Sequence, residues 1–477
     1  MTTIGARPLA GLLGPWRDRS PAYAALADRV RLLVLDGRLT AGTRLAAERE
    51  LAAALGVSRT TVAAAYAALR ESGHVVSVRG SGSVVQPPAA AAPAEGEDAG
   101  GGSGGAPGHP QVLDLVNAAL PAVQGLQEVV ERAVRALPRH LGGTGYEMRG
   151  VPELREAVAR RYTERGLPTR PDEVLVTVGA QHAIALLART FLRPGDRALV
   201  ETPTYPTAVR ALTAAGGRAL PVPVGPGGWD GEALREAFTR ARPAVAYLVP
   251  DFHNPTGATM PAAQRREVLE LAERSGTRVV VDETTADLGF APGAPAWVPF
   301  PGDVVHVGSL AKSVWAGLRL GWVRADAATV REALEHRSPT DLGTPVLEQL
   351  VGAEVVDVLD AFADRRRAQL RASHDALHEA LAERLPSWRV PRVAGGLSTW
   401  ANLGAPVSSS LVLAARARGL LLSTGPRFSV DGAFERYLRL PFTLAPERMR
   451  RVVDVLADAW ADTARLPQAL PAPEALV

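Results

Sequence analysis

The residue best placed to do chemistry is Lys312, the single lysine among 53 basic side chains in a chain of 477 residues, within GSLAKSVWAGLRLGW from Gly308 to Trp322. Every other basic side chain is an arginine, which stays protonated. A primary amine in a dry pocket can lose its proton and attack a carbonyl to form a Schiff base. A chain with this bias keeps a lysine where arginine cannot serve; the competing reading is a surface lysine left by chance. Ser309, three residues earlier, and Arg319, seven later, weigh against chance because both suit a phosphate on the same ligand. An aldehyde and a phosphate on one molecule point to pyridoxal 5'-phosphate (PLP).

Other side chains fit such a ligand. Asn254, in DFHNPTGATM, follows the apolar run AVAYLV, and its amide can hydrogen-bond a phenolate oxygen. Asp282 closes TRVVVDE; a carboxylate at the end of a buried strand is costly without a partner, and a protonated pyridine nitrogen is a suitable one. Tyr205, in ETPTYPTA, could stack on a ring. Gly179, Ala180 and Gln181 follow EVLVTV and open a helix, where backbone N–H groups and the helix dipole favour a phosphate. Taken singly, each has a structural reading, Tyr205 as core and Asp282 as a helix cap. The glycine-rich GGTGYE, Gly142 to Glu147, is a poorer phosphate loop because no strand precedes it.

The elements that must position these groups follow from the pattern after residue 150. Apolar runs EVLVTV, RALVE, AVAYLV, TRVVVDE and DVVHVG alternate with helical stretches such as AQHAIALLARTFL and PAAQRREVLELAERSG. Strands apolar throughout, alternating with helices, imply a mostly parallel sheet covered on both faces. Ligands in such sheets gather at the carboxyl ends of the strands, where the candidate residues lie.

Residues 87 to 110, PPAAAAPAEGEDAGGGSGGAPGHP, hold almost nothing that could pack and read as a flexible linker. As a coil it would span roughly 25 to 30 Å, so the segment before it is expected to be tethered and not held. That segment, 1 to 86, has Leu26, Val30, Leu33 and Val34 at helical spacing, then AERELAAAL, a break at Gly56, and SRTTVAAAYAALRESG with Ser58 as its N-cap. HVVSVRGSGSVVQ then reads as a hairpin around Arg79, Gly80, Ser81 and Gly82. Three helices and a wing make a winged helix-turn-helix, with Ser58, Arg59, Thr60 and Thr61 at the end that enters the major groove. Its 11 Arg against 6 acidic residues support DNA over a protein partner.

With no Cys and nine scattered His, the chain has no disulfide and no metal site is expected. The opening MTTIGARPLAGLLGPWRDRS lacks an export signal, and no run of about 18 apolar residues occurs, so a cytoplasmic protein without a membrane partner is expected.

The stretch from Ala22 to Val85 resembles the DNA-binding domain of GntR-type bacterial regulators. The resemblance implies DNA contacts by Arg49 and Arg59 and by the wing at Arg79, Gly80 and Gly82. Ala46 and Ala47 depart from the family's Pro and Ser, which removes a cap. The order Tyr146, Gly179 to Gln181, Tyr205, Asn254, Asp282, Ser309, Lys312 and Arg319 is similar to class I aminotransferases of fold type I, over 111 to 477. It implies Lys312 as Schiff-base lysine, Asp282 on the pyridine nitrogen, Asn254 on the ring oxygen and Tyr205 stacked on the ring. Ala180, Gln181, Ser309 and Arg319 would hold the phosphate, Tyr146 would reach the phosphate of a partner subunit, and Arg439 would take a substrate α-carboxylate. Thr284 and Thr285 stand where the family has a tyrosine bonding the ring oxygen.

The whole layout resembles the MocR subfamily. The expected architecture is a mainly α winged helix joined to an α/β PLP-dependent transferase fold of type I with a smaller C-terminal α+β part. The expected function is a PLP-dependent, homodimeric transcription factor binding double-stranded DNA and sensing PLP or a small amino compound. The alternatives are an active aminotransferase carrying a DNA-binding appendage, and a scaffold without cofactor.

Overall fold

A computed structural model describes residues 3–14, 16, 21–35, 38–78, 82–86, 112–225, 227–292 and 298–465. The segment read as a linker, and Arg79, Gly80 and Ser81 of the wing, lie outside the described residues.

The amino-terminal unit comprises α1 (Ala6–Leu13), α2 (Ala22–Leu35), α3 (Glu48–Leu55), α4 (Arg59–Glu71) and the antiparallel pair β1 (Val75–Val78) and β2 (Gly82–Val85). Leu26, Val30 and Leu33 fall on one face of α2 and bury against Leu9 and Leu13 of α1, Leu51 of α3, and Val62, Tyr66 and Leu69 of α4. Helix α1 was not anticipated, although Leu9 and Leu13 stand one turn apart. Gly56 ends α3 in the left-handed region, φ 63°, where a side chain would be strained. Ser58 caps α4, its Oγ accepting from the Thr61 N–H at 3.1 Å. Ala47 at the start of α3 offers no cap, as the departure from the GntR pattern implied, and the Ala46 carbonyl instead accepts from the Tyr66 hydroxyl at 2.9 Å.

The large unit runs β3 (Leu113–Asp114), α5 (Leu126–Ala136), α6 (Pro152–Glu164), β4 (Val174–Thr177), α7 (Ala180–Phe191), β5 (Arg197–Thr202), α8 (Pro206–Ala214), β6 (Arg218–Gly225) and β7 (Gly228–Trp229). It continues through α9 (Gly231–Glu236), β8 (Val245–Leu248), α10 (Ala262–Ser275), β9 (Arg278–Asp282), β10 (Val305–Ser309), β11 (Gly321–Arg324), α11 (Ala327–Arg337), α12 (Val346–Asp357) and α13 (Leu359–Arg384). The C-terminal part adds β12 (Ser398–Asn402), α14 (Ser408–Arg416), β13 (Leu420–Leu421), β14 (Tyr437–Pro441) and α15 (Pro446–Arg465).

The main sheet has the order β4-β11-β10-β9-β8-β5-β6-β7. Its central pairs are parallel, β11 runs antiparallel to both neighbours, and β7 folds back on β6. Strand β8 shows why the runs are unbroken apolar sequence. Val245 and Tyr247 enter the cluster under α7, α8 and α11, whereas Ala246 and Leu248 enter the one under α9 and α10. In the C-terminal part, α13, α14 and α15 cover the antiparallel pair β12 and β14 around Leu370, Leu377, Leu438 and Leu456. The 26-residue α13 joins the two bodies, with Leu359 and Phe362 in one core and Leu370 and Leu377 in the other.

The expectation of a unit that is tethered only is corrected. Buried Arg29 of α2 donates from Nε to the Leu13 carbonyl (2.8 Å), and from Nη1 to Ser409 Oγ (2.9 Å) and to the Glu435 carboxylate. The winged helix is therefore held against the C-terminal part. Linker composition could not reveal a contact made by residues 406 positions apart.

Candidate cofactor site and nucleic-acid interface

Five strand ends converge at the carboxyl edge of the sheet. Strand β4 turns into α7 through Gly179, whose φ of 79° would strain a larger residue and where an added Cβ would lie 3.1 Å from the Arg319 guanidinium. The N-terminus of α7, with Ala180 and Gln181, thus faces Arg319 across a gap kept open by a glycine. Arg319, itself at φ 52°, donates from Nη2 to the Val178 carbonyl (3.2 Å). Ser309 at the end of β10 donates to the Leu320 carbonyl (2.9 Å) and accepts from the Ala311 N–H (3.2 Å). Gln181 Nε2 donates to the Thr207 carbonyl (3.3 Å), while its Oε1 is buried without a hydrogen-bond partner. These are the donors of an anion cradle at a helix N-terminus.

Asp282 closes β9, and Val307 of β10 lies beside it in register. Its Oδ2 accepts from the Tyr247 hydroxyl (2.6 Å) and its Oδ1 from the Thr284 N–H (3.0 Å). Burial pushes the carboxyl up, and the Tyr247 bond works in the opposite sense by favouring the carboxylate. Tyr247 was missed in the sequence. Its signal was a phenol inside the otherwise apolar run AVAYLV, since a buried hydroxyl needs a partner. Thr285, in the region of the family's tyrosine, turns its hydroxyl to the Asp251 carbonyl (2.8 Å) and so is engaged elsewhere.

Lys312 Nζ donates to the Ala118 carbonyl (2.7 Å), so the segment after β3 lies over the amine. Burial pulls its ammonium down to about 8, helped by the charges of Arg439 and Arg319 and opposed by Asp282. Arg439, buried on β14, donates from Nη2 to the Val116 carbonyl and from Nη1 to Asn254 Oδ1 (3.5 Å). Its guanidinium lies 4.8 Å from the Phe428 ring, and its Nε is buried without a hydrogen-bond partner. Burial and the nearby Arg427 lower it to about 10. Tyr205 precedes α8, half-buried against the sheet core. The structure thus gathers Lys312, Asp282, Asn254, Arg439, Arg319, Ser309, Ala180 and Gln181 at one edge. It leaves Tyr146 pointing outward, 67% exposed.

The donor set suits a phosphate at Arg319 and the α7 N-terminus, a ring cation at Asp282, and a carboxylate at Arg439. Each cation donates to backbone carbonyls, Lys312 to Ala118, Arg319 to Val178 and Arg439 to Val116.

On the amino-terminal unit, Ser58 Oγ also bonds the hydroxyls of Thr60 (2.7 Å) and Thr61 (2.8 Å), which fixes the first turn of α4. The Arg59 side chain is 73% exposed and lies 3.6 Å from Glu48 of α3. Arg49 is exposed, and Gly82 opens β2 at φ 78°.

Residues 116–456 match the family of class I and II aminotransferases, and residues 22–85 match the bacterial regulatory proteins of the gntR family. The regulator TauR of Rhodobacter capsulatus is 30% identical over 474 residues, covering 91% of this chain and 96% of that one. The chain belongs to the MocR group of GntR-type regulators. A probable rhizopine catabolism regulatory protein MocR of Rhizobium meliloti is 30% identical over 325 residues, 64% of this chain and 65% of that protein. Among solved structures, the α-aminoadipate aminotransferase LysN of Thermus thermophilus, complexed with N-(5'-phosphopyridoxyl)-L-leucine, has a TM-score of 0.67 at 29% identity, over 75% of this chain and 94% of that one. As in other members of the aminotransferase family, the cofactor of this MocR-type chain is PLP, and its GntR domain binds DNA.

Proposed function

We propose that the large domain holds PLP on Lys312, captures a small amino compound there, and through it sets how the winged helix engages DNA. The observation that carries this reading is the convergence of Lys312, Arg319 and Arg439 on one edge, each donating to a backbone carbonyl. When bound, PLP supplies an aldehyde that captures amines and a ring that withdraws electrons. The chain's own part is positional and protonic. Ala180, Gln181, Ser309 and Arg319 hold the phosphate, Asp282 holds the ring-nitrogen proton, Asn254 bonds the ring oxygen, and Tyr205 covers the ring. Arg439 receives the carboxylate of the effector. A lysine drawn down to about 8 is roughly one-tenth neutral at pH 7, against well under one-hundredth for the same group in water. Thr284 and Thr285 stand where the family resemblance implies a tyrosine bonding the ring oxygen, and Thr285 gives its hydroxyl to the Asp251 carbonyl, which favours capture over repeated turnover.

Tyr146 is exposed on the loop that also exposes Leu141, and Leu342 is exposed as well. A second copy of the chain covers this surface in the proposed homodimer, with Tyr146 reaching the partner's phosphate. Two winged helices then meet two half-sites, with Arg49, Ser58, Arg59, Thr60, Thr61 and the wing facing DNA in the cytoplasm.

The test is absorbance of the purified protein, borohydride reduction and intact-mass analysis. The wild type should gain one reduced PLP adduct, and Lys312→Ala and Lys312→Arg should gain none. An adduct surviving in either variant refutes the assignment, and steady turnover of an amino donor with a keto acid refutes the sensing role in favour of an enzyme.

A further inference from the structure

The contact between the two units and the candidate carboxylate site share one stretch of chain. Glu435 accepts from the Ser409 N–H (3.0 Å) and from Ser409 Oγ (2.7 Å), and its own carbonyl accepts from the Ser408 N–H (2.8 Å). It thereby caps α14 from outside, because Val407 at the N-cap position has no side-chain bond to give, and a carboxylate at a helix N-terminus is favoured by the dipole. Arg29 of the winged helix closes the arrangement, bonded to both Glu435 and Ser409. Arg38 of the winged helix comes close alongside: a Cβ added at Gly432 would lie 3.0 Å from its guanidinium.

From Glu435 the chain runs four residues to Arg439, and little in between is free to move. Tyr437 stacks on Trp400, with centroids 5.5 Å apart and planes within 8°, and Trp400 is the register partner of Arg439 in the β12–β14 pair. On the other side Gly425 is pressed under this loop, its absent Cβ position 2.1 Å from the Phe434 carbonyl and 2.3 Å from that of Tyr437. The Gly425 N–H bonds Ser408 Oγ (2.9 Å), and the turn it opens carries Phe428, the ring beneath Arg439. The Phe428 carbonyl in turn accepts from the Thr204 N–H (2.9 Å), one residue before Tyr205. The Arg29 contact, the start of α14 and the surroundings of Arg439 thus form one packed assembly. The recognition end of α4 is outside it, since Arg59 remains 73% exposed.

We propose that the Arg29–Glu435–Ser409 contact is the latch of the regulator: docking of the winged helix preorganises Arg439, and a carboxylate bound at Arg439 tightens that docking in return. This rests on the reading that Arg439 receives the effector's carboxylate. Because the two events share the 425–439 stretch, their coupling is reciprocal and can be read from either end. The latch orients the DNA-binding domain and does not cover it. Leaving either charge without its partner in this largely buried contact is costly, so replacing either one should break it, whereas Arg29→Lys, which keeps the cation, should retain most of it.

The experiment uses the full-length, PLP-loaded chain as wild type, Arg29→Glu, Glu435→Gln and the conservative variant Arg29→Lys. Small-angle scattering should show a larger radius of gyration in Arg29→Glu and Glu435→Gln and a value near wild type in Arg29→Lys. Cofactor absorbance is titrated with L-alanine, which carries a carboxylate, and with ethylamine, which does not. The half-saturating alanine concentration should rise at least fivefold in Arg29→Glu and Glu435→Gln and stay near wild type in Arg29→Lys, while that of ethylamine stays within twofold throughout. Unchanged affinity for a duplex with one half-site confirms that the variant DNA-binding domains are folded; a domain misfolded by Arg29→Glu is bypassed by Glu435→Gln, which lies outside it. A wild type without borohydride-sensitive absorbance overturns the PLP reading itself. Borohydride-sensitive absorbance together with an alanine response that ignores Arg29 and Glu435, or is absent in all variants, overturns the latch and leaves that reading standing.

Discussion

Replacing Lys312 with methionine should make the cofactor-free protein more stable while destroying its capacity to bind PLP covalently. The ammonium is held in surroundings that lower its pKa from 10.5 to about 8. At about 1.4 kcal/mol per pKa unit, the charged form costs the fold about 3 kcal/mol at pH 7. The hydrogen bond to the Ala118 carbonyl returns about 1 kcal/mol, so removing the amine should gain about 2 kcal/mol. For a lysine whose folded pKa lies below its unfolded value, the penalty is complete below pH 8 and is relieved as pH rises toward 10.5. The advantage of Lys312→Met should therefore be largest near pH 7 and shrink toward pH 10. Calorimetry of the large-domain transition at both pH values would show it as a rise of a few degrees at pH 7 that narrows at pH 10. A variant no more stable than wild type at pH 7, or equally stabilised at both, would refute the claim that the site holds its amine under strain.

Tyr247→Phe removes the bond that favours the Asp282 carboxylate, so Asp282 should protonate at higher pH and cofactor retention on acidification should fail earlier than in wild type; coincident pH titrations of cofactor absorbance would disprove this. Gly179→Ala places a methyl 3.1 Å from Arg319 at φ 79° and should weaken PLP binding at least tenfold in equilibrium dialysis, with the Lys312 adduct still forming at high PLP. Arg59→Ala should cost operator binding about 1 to 3 kcal/mol with little loss on random DNA; equal loss on both, with a smaller salt slope, would move Arg59 from base to phosphate.

The strands, their order along the chain and the turn at Gly179 were legible because each depends on residues near one another in sequence. Lys312 stood out because composition isolates it. Tyr247 did not, because its value lies in the neighbouring β9, where its hydroxyl reaches Asp282, and pairing between strands is not written in either run alone. Thr285 could be recognised as a departure from a family pattern, but only the fold shows its hydroxyl spent on Asp251. Helix α1 was overlooked for a different reason: eight residues, ARPLAGLL, were read only for what they lack as an export signal. The Arg29–Glu435 contact lay beyond local pattern altogether, since two ordinary surface-type charges become a largely buried pair only when the two units meet.

That contact also changes what natural variation can reach. If the DNA-binding unit is located by touching the C-terminal part, the intervening stretch from residue 87 to 110 has only to be long enough, and its length and composition are free to drift between relatives. Selection for operator spacing would then act on Arg29, Ser409 and Glu435 and on the surface around them. Insertions in that stretch would pass unnoticed, whereas a change at any of those three positions would be felt at every promoter the protein serves.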